Sequence, residues 1–148
     1  MATDYQPLED LLQQQKWREA DAETAGLMLQ IANRTSEGWL RQEDINNFPR
    51  EELRAMDRLW VKYSDGRFGF SVQQKIYQGL GGTSDYNVVA WNAFGDTVEW
   101  RVNNSWIHYQ EATFDLKAPR GHLPFGWVRR GGARVRECLL SLVDTDDN

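Results

Sequence analysis

The segment Leu59–Ile76, LWVKYSDGRFGFSVQQKI, limits the fold more than any other part of the chain. Two aromatic-rich helical patterns meet there at Asp65, Gly66 and Gly69, residue types that let a backbone turn sharply. Leu53, Met56, Trp60 and Tyr63 form a buried stripe running into the corner, and Val72, Ile76 and Leu80 continue at helical spacing beyond it. Ser71 with Gln74 three residues later has the form of a capping box that restarts a helix. Tyr63, Phe68 and Phe70 gather beside Arg67, so the corner reads as a turn held in one shape, with the flanking helices packed on it.

The rest of the chain arranges helices around that corner. Pro7 suits a first helical turn, and Leu8, Leu11 and Leu12 give a short amphipathic helix to about Gln15. Trp17, Ala20, Thr24, Leu27, Met28 and Ile31 stripe a second helix, which Asn33 can end in the left-handed conformation. The stretch from Thr35 to Asn47 reads as a loop or short helix, and Trp39, Leu40, Ile45 and Phe48 give it more apolar side chains than a solvated loop needs. Pro49 opens the helix entering the corner, with Glu51 and Glu52 in its first turn. After Gly81 and Gly82, Ser84 or Asp85 is expected to cap a helix with Tyr86, Val89, Ala90 and Ala93 on one face, ended by Gly95. From Asp96 to Leu116 the period changes to alternation, with Val98, Trp100 and Val102 before Asn103-Asn104, which predicts a small hairpin. Arg134 to Val143 reads as a last amphipathic helix. The expected class is all-α, mainly helical, with a small hairpin-like loop and a ligand groove, in a single domain over 1–148 with a core at about 5–143.

Charge and cysteine usage exclude several functions. The chain carries net −5, yet Lys117 to Arg136 contributes six Lys or Arg and no acid, leaving −11 on the remainder. An acidic whole argues against general nucleic-acid binding, which depends on neutralising many phosphates. The basic island suits a small anionic ligand, an acidic partner surface, or a solvated face balancing the acidic body. One cysteine, Cys138, excludes an internal disulfide and a cysteine-rich metal site. No apolar run reaches the roughly 20 residues of a membrane span, and the N-terminus lacks the pattern of a signal peptide, so a soluble, monomeric, unexported protein is expected.

Catalytic motifs are weak. His108 and His122 are not at metal-ligand spacing with an acid, no nucleophile elbow is present, and Gly131-Gly132 fits no phosphate loop. His122 reads as a hydrogen-bonder closing a turn beside Pro124. What the residues can build is a binding site. A broad, flat, apolar ligand with carboxylates needs aromatic walls for its faces and Arg at the rim for its acids. Walls are available from Trp39, Leu40, Ile45 and Phe48 on one side and from Trp100, Trp106, Tyr109 and Phe114 on the other, with Arg120, Arg129, Arg130 and Arg134 as clamps. The Trp100–Phe114 plate is too short to own a core, so it covers either the helices or a ligand.

YQPLEDLL, KWREAD, GWL, FP before EEL, LW with KYSDGRFGFSVQ, AFGD, EWR and APRGHLP together resemble the genomes-uncoupled family of tetrapyrrole-binding regulators of magnesium chelatase. The resemblance covers nearly the whole chain, and RFGFSVQ with the GHLP element carries most of its specificity. It implies a helical domain cupping a porphyrin between loops, without catalysis of its own. The implied ligands are protoporphyrin IX, Mg-protoporphyrin IX or an open-chain bilin. The implied partners are the large subunit of magnesium chelatase or bilin-processing enzymes. The implied location is the cytoplasm or plastid stroma, at most peripheral to photosynthetic membranes. Residue by residue, the family's loop wall matches Trp39 to Phe48, its second-loop aromatic matches Tyr109 or the neighbouring Gln110, and its arginines after GHLP match Arg130, or Arg129, and Arg134. His122 belongs to the GHLP element itself and is carried as a ligand-side candidate. Gln42 stands where the first loop is expected to carry an aromatic, and Ala25 where the second helix is expected to carry a base. These changes bring a bilin carrier into consideration beside a porphyrin-binding regulator, as does an interaction domain that has kept the fold. The N-terminal helical bundle of many members is not expected here. A thioether from Cys138 to a bilin competes with a buried thiol on the apolar side of VRECLLSLV, and the buried thiol is preferred.

Overall fold

The structure, a computed structural model, describes residues 3–83, 85, 87–130, 136, 139 and 140, with only the backbone of 129 and 130. Among these, α1 spans Gln6–Gln13, α2 Trp17–Ile31, α3 Gln42–Asn46, α4 Arg50–Tyr63, α5 Phe70–Gly79 and α6 Val88–Val98. Strands β1 (Arg101–Val102) and β2 (Ser105–Trp106) follow, then 3-10 turns at Tyr109–Glu111 and Gly126–Arg130. The class is mainly helical, as expected, and the hairpin is present, antiparallel, with Arg101 opposite Trp106. Asn103 and Asn104, both at positive φ, make its turn. Asn33 follows α2 at φ 59°, as predicted from its position. No helix among the described residues is long and apolar enough to cross a membrane.

The corner between α4 and α5 is the hub of the core. Phe68, Phe70 and Trp60 are fully buried, and Phe68 meets Trp17 and Trp60 edge-on at 5.6 and 6.3 Å. The Ser64 hydroxyl accepts from the Phe68 N–H at 2.9 Å and donates to the Trp60 carbonyl at 2.6 Å, closing the turn. The Ser71–Gln74 capping box is not what starts α5. Its N-cap is Gly69, and Asp57 reaches across from α4 to accept the Ser71 N–H at 2.8 Å. A carboxylate from the neighbouring helix thus replaces a local cap, and Gln74 is buried instead. Leu80 also leaves the expected stripe. Phe70, Val72, Gln73, Gln74 and Tyr77 take the inner face of α5, and Leu80, past its end, is 39% exposed.

Helix α6 differs from the sequence reading at both ends and in its face. Its cap is Asn87, whose side chain accepts from Val89 and Ala90 N–H at 3.0 and 3.1 Å. Ala90, Trp91, Phe94 and Val98 face inward while Val89 is 75% exposed, because two large rings at i and i+3 outweigh the small residues that defined the other face. Of the residues assigned to that start, Ser84 and Tyr86 lie outside the described residues. The helix ends at Glu99, at φ 63°, and Gly95 lies within it. Gly95 is spaced for packing: a Cβ there would come within 2.4 Å of the Trp106 ring.

Candidate functional site

The hairpin packs on α6 and the Gly126–Arg130 turn on α2, and between them lies an open cavity of about 190 Å³ lined by Trp106, Ile107, His108, Tyr109, Phe125, Val128 and Arg136. Its walls are set by ring packing. Trp106 lies flat on Trp91, at 5.6 Å between centroids and 19° between planes, and remains 37% exposed. Tyr109 and Phe125 are near-parallel, 6.0 Å apart at 16°. Phe114 abuts Tyr109 edge-on at 5.3 Å, and the Arg18 guanidinium lies over the Phe114 ring at 4.3 Å from its centroid. Among the described residues, Arg136 brings a guanidinium to the lining. Its Nε donates to the Val128 carbonyl at 2.8 Å, its guanidinium lies 6.0 Å from the Trp91 ring, and burial lowers its pKa from the ordinary value.

The APRGHLP segment supports this cavity from behind. His122 is buried, its Nε2 accepting from the Thr113 N–H at 3.0 Å and its Nδ1 bonded to the Val98 carbonyl at 2.6 Å. That pairing requires the neutral ring protonated on Nδ1, and burial lowers its pKa. Trp100 Nε1 donates to the His122 carbonyl at 2.7 Å, and Gln73 Nε2 donates to the carbonyls of Gly121 and Pro124 at 3.0 and 2.9 Å. Arg67, in the corner, donates to the Ala118 carbonyl at 2.8 Å. The two signature stretches are therefore bonded to each other, and the GHLP element positions Phe125 for the cavity.

Of the sequence-predicted site residues, Trp106 and Tyr109 line this cavity and Phe114 packs directly behind Tyr109. Trp100 and His122 lie in the core behind it, Trp100 fully buried against Phe125 at 5.0 Å. The other expected wall is elsewhere in character. Leu40, Ile45 and Phe48 are buried, Ile45 on the inner side of α3 and the other two flanking that helix, while Gln42 is exposed at its start and Trp39 is 51% exposed. Arg34 holds that loop: its guanidinium lies 4.9 Å from the Trp39 ring and its Nε 3.3 Å from Asp44. Asp44, also paired with Arg41, has its pKa lowered by that partner. Phe48 borders a separate concavity of about 290 Å³ with Glu43 and Asp44. Ala25 is buried on α2 with its Cβ near Gly126. Arg134, Cys138 and most of the predicted last helix lie outside the described residues, as do the side chains of Arg129 and Arg130.

Sequence reasoning missed Phe125, Val128 and Arg136, because nothing in a basic, glycine-rich tail marks which residue returns to the cavity. It also missed Asp21, which is fully buried on α2. The signal was available: an acid standing inside the apolar stripe of Ala20, Thr24 and Leu27 needs buried donors. Burial pushes the Asp21 carboxyl up to about 6, against the opposing pull of Phe125, Tyr109, Gly126 and Arg18. Among the described residues no group of three His, Cys, Asp or Glu is placed to hold a metal ion.

The family model described as GUN4-like matches residues 1–141. The chain belongs to the GUN4-like family. It is 33% identical over 167 residues to the Tetrapyrrole-binding protein, chloroplastic, of Arabidopsis thaliana, covering 99% of this chain and 58% of that protein. It is 33% identical over 139 residues to a Ycf53-like protein of Synechocystis, covering 92% of this chain and 56% of that one. The chain thus spans little more than half the length of these relatives. The ligand-free structure of Arabidopsis thaliana GUN4 superposes with TM-score 0.79 at 35% identity over 95% of this chain and 96% of that one. GUN4 from Chlamydomonas reinhardtii gives TM-score 0.78 at 26% identity, over 94% and 88% of the two chains. The GUN4-like assignment agrees with the helical class and with the resemblance seen in the sequence.

Proposed function

We propose that this chain binds a tetrapyrrole, protoporphyrin IX or its magnesium form, without transforming it, and serves magnesium chelatase in chlorophyll synthesis. The observation that carries the reading is the meeting of Trp106, Tyr109 and Phe125 with the Arg136 guanidinium around one cavity. Flat apolar rings suit the faces of a macrocycle, and a partly desolvated guanidinium suits its carboxylates. The name of the Arabidopsis relative, a tetrapyrrole-binding protein, supports the same ligand class. At about 190 Å³ the cavity is smaller than the roughly 300–1,000 Å³ that envelop a whole ligand, so it takes one edge of the macrocycle, with the exposed face of Trp106 extending the contact. The large subunit of the chelatase is the partner this reading names, and the plastid stroma or cytoplasm the location.

Titration with deuteroporphyrin, read by tryptophan quenching, tests the ligand. Saturable binding in the micromolar range is expected, and its absence would sink the reading. Biliverdin in a parallel titration decides the geometry of the ligand: tighter binding of the open chain would transfer the proposal to bilins. Addition of the protein to a magnesium chelatase assay then tests the partner, with stimulation of magnesium insertion expected.

A further inference from the structure

Asp21 occupies a place that stability alone does not explain. It is fully buried on α2, where an apolar side chain would pack without the desolvation cost of a charge. Its Oδ1 accepts the Tyr109 hydroxyl at 2.9 Å and the Gly126 N–H at 2.6 Å, and its Oδ2 accepts the Phe125 N–H at 2.5 Å. These donors come from two separate segments, 88 and 104–105 positions along the chain, and both segments contribute rings to the cavity wall. The approach is closed by Gly126, where a Cβ would stand 2.5 Å from Asp21 Oδ1 and 3.4 Å from both Ala25 Cβ and Tyr109 Cε1. Only a glycine lets the amide, the phenol and the carboxylate converge there.

We propose that Asp21 is the positioning residue of the cavity: by holding the Tyr109 hydroxyl and the Phe125 and Gly126 amides together, its carboxylate sets the two rings in register for a flat ligand. The proposal rests on the tetrapyrrole reading for the identity of that ligand. A carboxylate is required because all the converging groups are donors. The amide of an asparagine has one accepting oxygen, and its NH₂ would face an N–H or O–H donor. Asp21 touches no ligand in this scheme, and acts through Tyr109 and Phe125.

The test uses the full chain with Tyr109→Phe, Asp21→Asn and the double variant, and has two readouts. Tyr109→Phe keeps the ring and removes the oxygen that Asp21 holds, so the melting temperature is expected to fall by several degrees with the fold kept, while the Kd for deuteroporphyrin rises about tenfold as the ring leaves its register. Asp21→Asn is expected to weaken binding at least as much, and the double variant no more than the worse single one, since both remove the same link. Multiplying effects would show that Tyr109 and Asp21 act separately and overturn the proposal, as would an unchanged Kd in Tyr109→Phe. If Asp21→Asn does not fold, Tyr109→Phe decides alone. The second readout is independent of any ligand: nuclear Overhauser contacts between the Tyr109 and Phe125 rings, present in the parent, are expected to be lost or weakened in Tyr109→Phe with the rest of the spectrum retained. Failure of the parent to bind porphyrin would remove the tetrapyrrole reading, while retained ring contacts in the variant would remove the role of Asp21.

Discussion

Gly69→Ala tests whether the corner is held by shape as well as by hydrophobic burial. Gly69 sits at φ 137° and ψ 160°, a region essentially reserved for glycine, so an alanine there costs about 1–3 kcal/mol before any contact is counted. A Cβ would also stand 2.7 Å from Asp57 Oδ1 and 2.9 Å from Val61 Cγ2. Asp57 cannot yield freely, because that same oxygen caps α5 through the Ser71 N–H. Relieving the crowding therefore means either strain, about 1–3 kcal/mol, or loss of the cap, about 1 kcal/mol. These two alternatives overlap, so the total is about 4 kcal/mol, and at roughly 2–4 °C per kcal/mol for a chain of this size the melting temperature should fall about 10 °C. Gly66→Ala is the matched control. It has φ 80° but no atom within 4 Å of the added Cβ, so only the conformational cost applies, about 1–2 kcal/mol. Thermal melts followed by far-UV circular dichroism measure both. Equal losses in the two variants, or a Gly69→Ala melt within about 2 °C of the parent, would refute the steric reasoning.

Phe68→Ala, emptying the space between Trp17 and Trp60, should cost about 3–5 kcal/mol in chemical denaturation, and a loss under about 1 kcal/mol would deny the corner its place in the core. Gly95→Ala should push Trp106 off Trp91, costing about 1 kcal/mol of stability and weakening deuteroporphyrin binding several-fold; unchanged tryptophan emission and affinity would mean that Trp106 is not a wall. Because burial lowers the His122 pKa, the unfolded chain binds a proton near pH 6.5 that the folded chain refuses. Stability should then drop as pH falls through that value, and His122→Gln should flatten this part of the profile. Asp21, pushed up to about 6, acts in the opposite sense: between about pH 6 and 4 the folded chain holds a proton the unfolded chain has released, so stability rises as pH falls, and Asp21→Asn should remove that rise.

Much of the helical framework was legible because local rules govern it. Pro7, the stripe of α2, Asn33 beyond its end, the stripe of α4 and the Asn103-Asn104 turn each carry a near-neighbour signal, and each stands where it was read. The start of α5 and the face of α6 were misread where a distant group intervened. Asp57 caps from the neighbouring helix, and Trp91 and Phe94 find a core to fill that no local pattern describes. The candidate site was legible as a composition, aromatic walls and a basic tail, and only partly as an address. Trp106 and Tyr109 reach the cavity; Trp100, Leu40, Ile45 and Phe48 are the same kind of side chain turned inward.

By itself the sequence determined the helical class, the rigid corner and the kind of ligand surface the chain can afford, since periodicity, glycine placement and residue type are local properties. Tertiary structure alone decided which rings face the cavity, that Arg136 lines it among the described residues, and that Asp21 joins its walls across more than a hundred positions. Convergence of that kind depends on how distant segments stack, and a buried carboxylate reveals its purpose only when its donors are in place.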